Sequence, residues 1–76
     1  MARITEFEGD HLERVQLHDG IRAKYYLYEL DGRKLFQLNT MGRDTREIPG
    51  KTSQSIQLDQ AGAEQLVAIL TKHFGL

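Results

Sequence analysis

Two Asp-Gly pairs, Asp19-Gly20 and Asp31-Gly32, divide the first half of the chain into short runs rich in aromatic and β-branched residues. Asp-Gly between such runs is a strong hairpin signal, because both residues tolerate the positive φ of tight two-residue turns. The pattern predicts strands near 11–18, 21–30 and 33–40. "NTMGRD", Asn39 to Asp44, supplies a third turn at Gly42. Ile56 and Leu58 alternate with Gln57 and Asp59, which predicts a further strand over about 52–58. Within residues 1–10, "RITEF" reads as a short strand or an extended arm.

The C-terminal residues, 59–75, read as a helix. Asp59 is a suitable N-cap, since its carboxylate can accept free N–H groups of the first turn. Gly75 suits a left-handed stop. Ala63, Leu66, Val67, Leu70 and Phe74 fall on one face by helical spacing. Lys72 and His73 lie in the last turn, where positive charge complements the helix dipole. The expected fold is therefore α+β: a four- to five-stranded antiparallel meander over 11–58, then one C-terminal helix packed on one sheet face.

The chain has 76 residues, enough for a single domain over 1–76 with a thin core, and pairing with a second copy would add to it. It contains no cysteine, which removes disulfides and thiolate metal sites. No apolar run is long enough for a membrane span, and the first residues lack the apolar core of a signal peptide. A cytoplasmic location is the expectation. The formal net charge is -1, unlike a strongly basic nucleic-acid binder, yet the charge is uneven. Residues 1–13 set Arg3 against Glu6, Glu8, Asp10 and Glu13, whereas basic residues outnumber acidic ones over 14–51.

Strand alternation sorts the side chains into two sets. Ile21, Ala23, Tyr25 and Leu27 share one face. A two-residue turn at Asp31-Gly32 sets Leu27 opposite Phe36 and Tyr25 opposite Leu38. With a glycine bulge at Gly20, Val15 and Leu17 join the same face; without it they swap sides. Ile56 and Leu58 extend this apolar set, which can take the helix stripe. The opposite set reads Arg14, Gln16, His18, Arg22, Lys24, Tyr26, Tyr28, Arg33, Leu35, Gln37, Asn39, Ser55 and Gln57, and it contains no acid. Cations for phosphates, rings for stacking and amides for base edges are the chemistry that single-stranded nucleic acid requires. An antiparallel sheet solvated on one side must be polar there in any case, so an ordinary wet face explains the same residues. The binding reading requires Arg22, Lys24, Tyr26 and Tyr28 to project away from the layer that the helix covers.

"DTREIPGKTSQS", Asp44 to Ser55, has Gly50-Lys51-Thr52 at its centre. It is not a phosphate-binding P-loop: Thr45 stands where the first glycine belongs, Pro49 has no N–H, and a strand rather than a helix follows. "REIPGKTSQSIQLDQAGAEQL", Arg46 to Leu66, instead resembles the signature of the single-stranded-DNA-binding transcriptional coactivators, the positive-cofactor-four family and its bacterial relatives. The matching features are Pro49-Gly50-Lys51, Ile56-Gln57-Leu58, Asp59-Gln60 and Gln65-Leu66. The family usually continues Pro-Gly-Lys with another basic residue and a glycine, where this chain has Thr52-Ser53-Gln54. The resemblance implies a four-stranded antiparallel sheet followed by a helix, a homodimer, single-stranded DNA on the sheet face, and Lys51 as a phosphate contact.

No metal or catalytic site is legible. His11, His18 and His73 lack metal-ligand spacing, and no serine occupies a nucleophile elbow. Neither a metal nor a cofactor is expected, and enzymatic activity is not expected of a lone domain of this size. Gly62, Ile69 and His73 share a flank of the helix, and a mid-helix glycine permits close approach by another helix or by the sheet. Helix-to-helix dimerisation through these three residues is one expectation; Ile69 covering the sheet edge is the other.

The expected function is a small single-stranded nucleic-acid-binding domain, DNA favoured over RNA, in which Arg14, Arg22, Lys24, Arg33 and Lys51 meet phosphates. Tyr26 and Tyr28 stack on bases, and Gln37 and Asn39 meet base edges. The alternative is a non-enzymatic protein-interaction or accessory module whose same face binds an acidic partner. A third reading is a structural dimer with no ligand on that face.

Overall fold

The computed structural model describes residues 1–42 and 52–76. They form four strands and one helix, in the order β1 (Ala2–Ile4), β2 (Ala23–Leu30), β3 (Arg33–Met41), β4 (Thr52–Leu58) and α1 (Gln60–Phe74). The strands make one sheet in the spatial order β1-β4-β3-β2. The α+β layout matches the expectation, with one difference in strand direction. β2, β3 and β4 are antiparallel neighbours, but β1 runs parallel to β4, with Ala2, Arg3 and Ile4 beside Ile56, Gln57 and Leu58. The sheet is therefore mixed, which departs from the all-antiparallel sheet that the family resemblance implies.

The β2–β3 hairpin follows from its turn. Asp31 has φ 53° and Gly32 has φ 73°, both left-handed, as a two-residue primed turn requires. Its twist matches that of the strands, and the register that results sets Leu27 opposite Phe36 and Tyr25 opposite Leu38, as expected from the spacing. β4 continues the sheet with Ile56 opposite Leu38 and Leu58 opposite Phe36. Near the other end, Thr40 pairs with Gln54 and Met41 with Thr52, so one extra residue of β4 forms a bulge there.

The expected strand over 11–18 does not form. Residues 5–22 contain neither strand nor helix, and β2 begins at Ala23 rather than at 21. Gly20 is not among the glycines with positive φ, so Asp19-Gly20 does not make the tight turn that would fold the segment back onto β2. Val15 and Leu17 project into solvent and do not join the apolar sheet face. The outer edge of β2 stays open, so alternation marks a segment that could lie on a half-buried sheet but does not by itself bring it to that edge. The Pro49-Gly50-Lys51 turn lies outside the described residues, as does the far side of the turn expected over 39–44.

The helix is capped as its sequence suggests. Asp59 Oδ1 accepts the Gly62 N–H at 3.1 Å. At the other end Gly75 has φ 71°, and its N–H bonds the Thr71 carbonyl at 2.9 Å. Only the first half of the helix is seated on the sheet. Gly62 is buried, while Ala63 and Leu66 are half-buried. From Val67 onward every residue is exposed, so Val67, Leu70 and Phe74 do not enter the core expected of them. Leu58 is the buried apolar side chain at the junction of β4 and α1, against Gly62. Gln65 ties the N-terminal segment to the helix: its Oε1 accepts the Phe7 N–H and its Nε2 donates to the Thr5 carbonyl, both at 3.1 Å.

Two measurements test this seating. A Cβ on Gly62 would lie 2.8 Å from the Ile4 carbonyl oxygen and 3.3 Å from Leu58 Cδ2. Alanine raises helix propensity by about 1 kcal/mol over glycine, yet here it meets rigid backbone that is itself paired in the sheet. Gly62→Ala is therefore expected to lower the melting temperature, and a rise would show that β1 and α1 are not packed this way. Asp59 also accepts from Arg3 Nη1 at 2.7 Å, and the Gly62 N–H followed by Arg3 holds its carboxyl below the ordinary value. A depressed carboxyl stabilises the fold above its unfolded pKa, and that contribution disappears as pH falls through the folded pKa. Asp59→Asn keeps a capping oxygen but removes the charge. Urea titrations should show a deficit in the variant that is largest near neutral pH and shrinks under acid.

Candidate nucleic-acid interface

The β2–β3 register sends alternate side chains to opposite sides. Tyr25, Leu27, Phe36, Leu38, Ile56 and Leu58 share the side on which α1 rests. Tyr25 and Phe36, diagonal neighbours across β2 and β3, stack there with centroids 6.2 Å apart and planes 17° from parallel. The other side carries Lys24, Tyr26 and Tyr28 from β2, Arg33, Leu35, Gln37 and Asn39 from β3, and Ser55 and Gln57 from β4. Lys24, Tyr26 and Tyr28 thus point away from the helix layer, as the binding reading requires. Tyr25 and Leu27 lie on the helix side, but α1 does not cover them, and they are 66% and 73% exposed.

A chain of side-chain hydrogen bonds crosses three strands at the centre of the polar face. The Tyr28 hydroxyl donates to Gln37 Oε1 at 2.8 Å and accepts from Gln57 Nε2 at 2.7 Å. Gln37 Nε2 in turn donates to Asn39 Oδ1 at 2.9 Å. Tyr28, Gln37, Asn39 and Gln57 are all half-buried. The network orders the amides and uses neither the Asn39 amide protons nor the Gln57 carbonyl oxygen. Tyr26, opposite Gln37, is 43% exposed and offers the more open ring of the pair.

Cationic groups flank the network. Lys24 stands opposite Asn39. Arg33 opens β3 on the same side, and Arg3 is brought beside Gln57 by the parallel β1–β4 pairing. A shallow depression of about 290 Å³ is lined by Arg3, Arg33, Leu35 and Gln57 together with Leu30 and Asp31 of the hairpin end. Arg22 precedes β2, and its carbonyl accepts the Met41 N–H at 3.0 Å, which holds it at the sheet margin. Arg14 is not on this face, because its segment is not a strand of the sheet. Lys51 lies outside the described residues. The sequence pattern does not place Arg3 on this face: its neighbours Gln57 and Asp59 are more than fifty positions away, and a parallel pairing at that separation leaves no local signal.

The helix flank differs from the expected dimer contact. Gly62 is occupied by its own chain, against Ile4 and Leu58, so it offers no bare backbone to another helix. Ile69 is half-exposed, and His73 lies edge-on to Phe74 with ring centroids 4.8 Å apart. Among the described residues no group of three His, Asp or Glu side chains could hold a metal ion, and no helix is long and apolar enough to cross a membrane. No protein-family model, curated protein or solved structure matches the chain.

The Tyr28 network makes a specific demand. Tyr28→Phe keeps the ring but leaves Gln37 Oε1 and Gln57 Nε2 without their shared partner. Urea unfolding should show a loss of about 1 kcal/mol, the usual cost of deleting a partly buried hydrogen-bond partner. An unchanged midpoint would show that the three strands are not linked through this hydroxyl.

Proposed function

We propose that the chain binds single-stranded nucleic acid on the polar sheet face, with DNA the favoured form. One observation carries the reading. Four strands contribute Arg3, Lys24, Arg33, Tyr26, Tyr28 and ordered amides to one surface, and no strand residue on that surface is acidic. Lys24 and Arg33 would neutralise phosphates, with Arg22 at the margin, whereas the charge of Arg3 is already met by Asp59. Tyr26 would stack on a base, and the Tyr28 ring would sit beside it. Asn39 and Gln57 present a donor and an acceptor to base edges. A face that was merely wet would tolerate both signs of charge, and Glu29, the acid within β2, faces the other side.

Fluorescence anisotropy with labelled single-stranded DNA and RNA at low salt tests the proposal. Tyr26→Ala should weaken binding by about 1–3 kcal/mol, the range for losing one stacked base, without unfolding the domain. Affinity should fall as salt rises, and Arg33→Ala should reduce the slope of log K against log salt by about 0.7 for each phosphate it no longer neutralises. If neither nucleic acid shows titratable affinity at low salt, the face serves a protein partner or none.

A further inference from the structure

β2 lies at one end of the sheet, and its outer edge has no neighbouring strand. The Met41 N–H bonds the Arg22 carbonyl, so the backbone of Arg22 is turned towards β3. Antiparallel strands alternate between residues that exchange hydrogen bonds and residues that do not. Lys24, Tyr26, Tyr28 and Leu30 therefore bond to β3 as well, while Ala23, Tyr25, Leu27 and Glu29 direct their N–H and C=O groups outward. Among the described residues no backbone group meets that row. An open edge recruits another strand unless proline, a bulge or inward-pointing charge blunts it. β2 has eight residues, no proline and an uninterrupted register. Its charged residues, Lys24 and Glu29, stand near its ends, and Tyr25 to Tyr28 between them carry no charge.

The two sides of this edge call for different side chains in an added strand. On the helix side Tyr25 and Leu27 are largely exposed. On the polar side Lys24 borders the edge, Arg22 precedes it, and no strand residue is acidic. An added strand is held best if apolar residues lie over Tyr25 and Leu27 and an acid lies opposite Lys24. Residues 11–18 do not meet both conditions through a turn at Asp19-Gly20. With a bulge at Gly20, Arg14 falls opposite Lys24, and like charges directly opposed are destabilising. Without the bulge, Arg14 falls over Tyr25 and Val15 beside Lys24. The segment stays off the edge, as observed.

We propose that β2 is a docking edge for an extended peptide of another protein, added antiparallel, in which apolar and acidic residues alternate. Backbone bonds from Ala23, Tyr25, Leu27 and Glu29 supply the affinity, and the alternation supplies the choice of partner. The peptide becomes a fifth strand, and its apolar side chains extend the layer that α1 begins. The site is the strand edge, not the polar face, so the proposal stands or falls independently of nucleic-acid binding.

A labelled, capped peptide of alternating valine and glutamate, as long as β2, is the probe. Its anisotropy titration with the full chain should saturate. A peptide of the same composition with its valines and glutamates in separate blocks should not bind. In antiparallel pairing the residues opposite Tyr25 and Leu27 turn their own amides to β2. N-methylation of the valines should therefore abolish binding, and N-methylation of the glutamates should spare it. Lys24→Glu should weaken it about threefold to tenfold. In amide hydrogen exchange the peptide should slow Ala23, Tyr25, Leu27 and Glu29, while Lys24, Tyr26 and Tyr28 are already slow without it. Absence of saturable binding, or binding that survives methylation of the valines, overturns the proposal. So does slow exchange of the outward row in the free chain. If it persists on dilution, residues 11–18 hold the edge; if dilution abolishes it, a second copy does.

Discussion

The left-handed pair Asp31-Gly32 sets the geometry from which the rest follows. A primed turn of two residues fixes the β2–β3 register, and a slip of one residue would send every side chain of β2 to the other side. With the observed register, Tyr28 meets Gln37 and, one strand further, Gln57. The same register stacks Tyr25 on Phe36 against the opposite layer. One local backbone preference thus decides which aromatic rings belong to a polar surface and which to an apolar one.

The second constraint is the absence of a side chain at Gly62. It allows the first turns of α1 to approach Leu58 and the Ile4 carbonyl closely. Asp59 reinforces the same corner by capping the helix and binding Arg3 of β1. β1 is only three residues long, yet it is held by strand pairing, by this ion pair and, just beyond, by Gln65. Because the anchorage is concentrated at the N-terminal end of α1, the outer half of the helix has no sheet beneath it. The two faces then differ in kind. One is closed by side-chain hydrogen bonds across strands, and the other is left apolar and incompletely covered.

Much of this was legible in local patterns. Asp31-Gly32, the Ile56-Gln57-Leu58 alternation, the Asp59 cap and the Gly75 stop each act within a few residues, and each element lies where its pattern places it. Asp19-Gly20 carries the same hairpin signal and makes no hairpin. A turn motif needs two strands that find each other, and residues 11–18 do not pair with β2 although its outer edge is open. The placement of Lys24, Tyr26, Tyr28, Arg33, Gln37 and Asn39 on one side was readable from the period of two. The contribution of Arg3 and the loss of Arg14 were not, because both depend on which segments join the sheet.

The sequence by itself determined β2, β3, β4 and α1, the caps of the helix and the sidedness of those strands, since backbone preference and side-chain period are properties of neighbouring residues. Only the tertiary structure decided that β1 enters the sheet parallel to β4 and that α1 is seated by its first turns alone. Those outcomes rest on contacts between residues far apart in the chain, such as Arg3 with Asp59 and Gly62 with Ile4. Their free energy depends on three-dimensional closure, which no local pattern encodes.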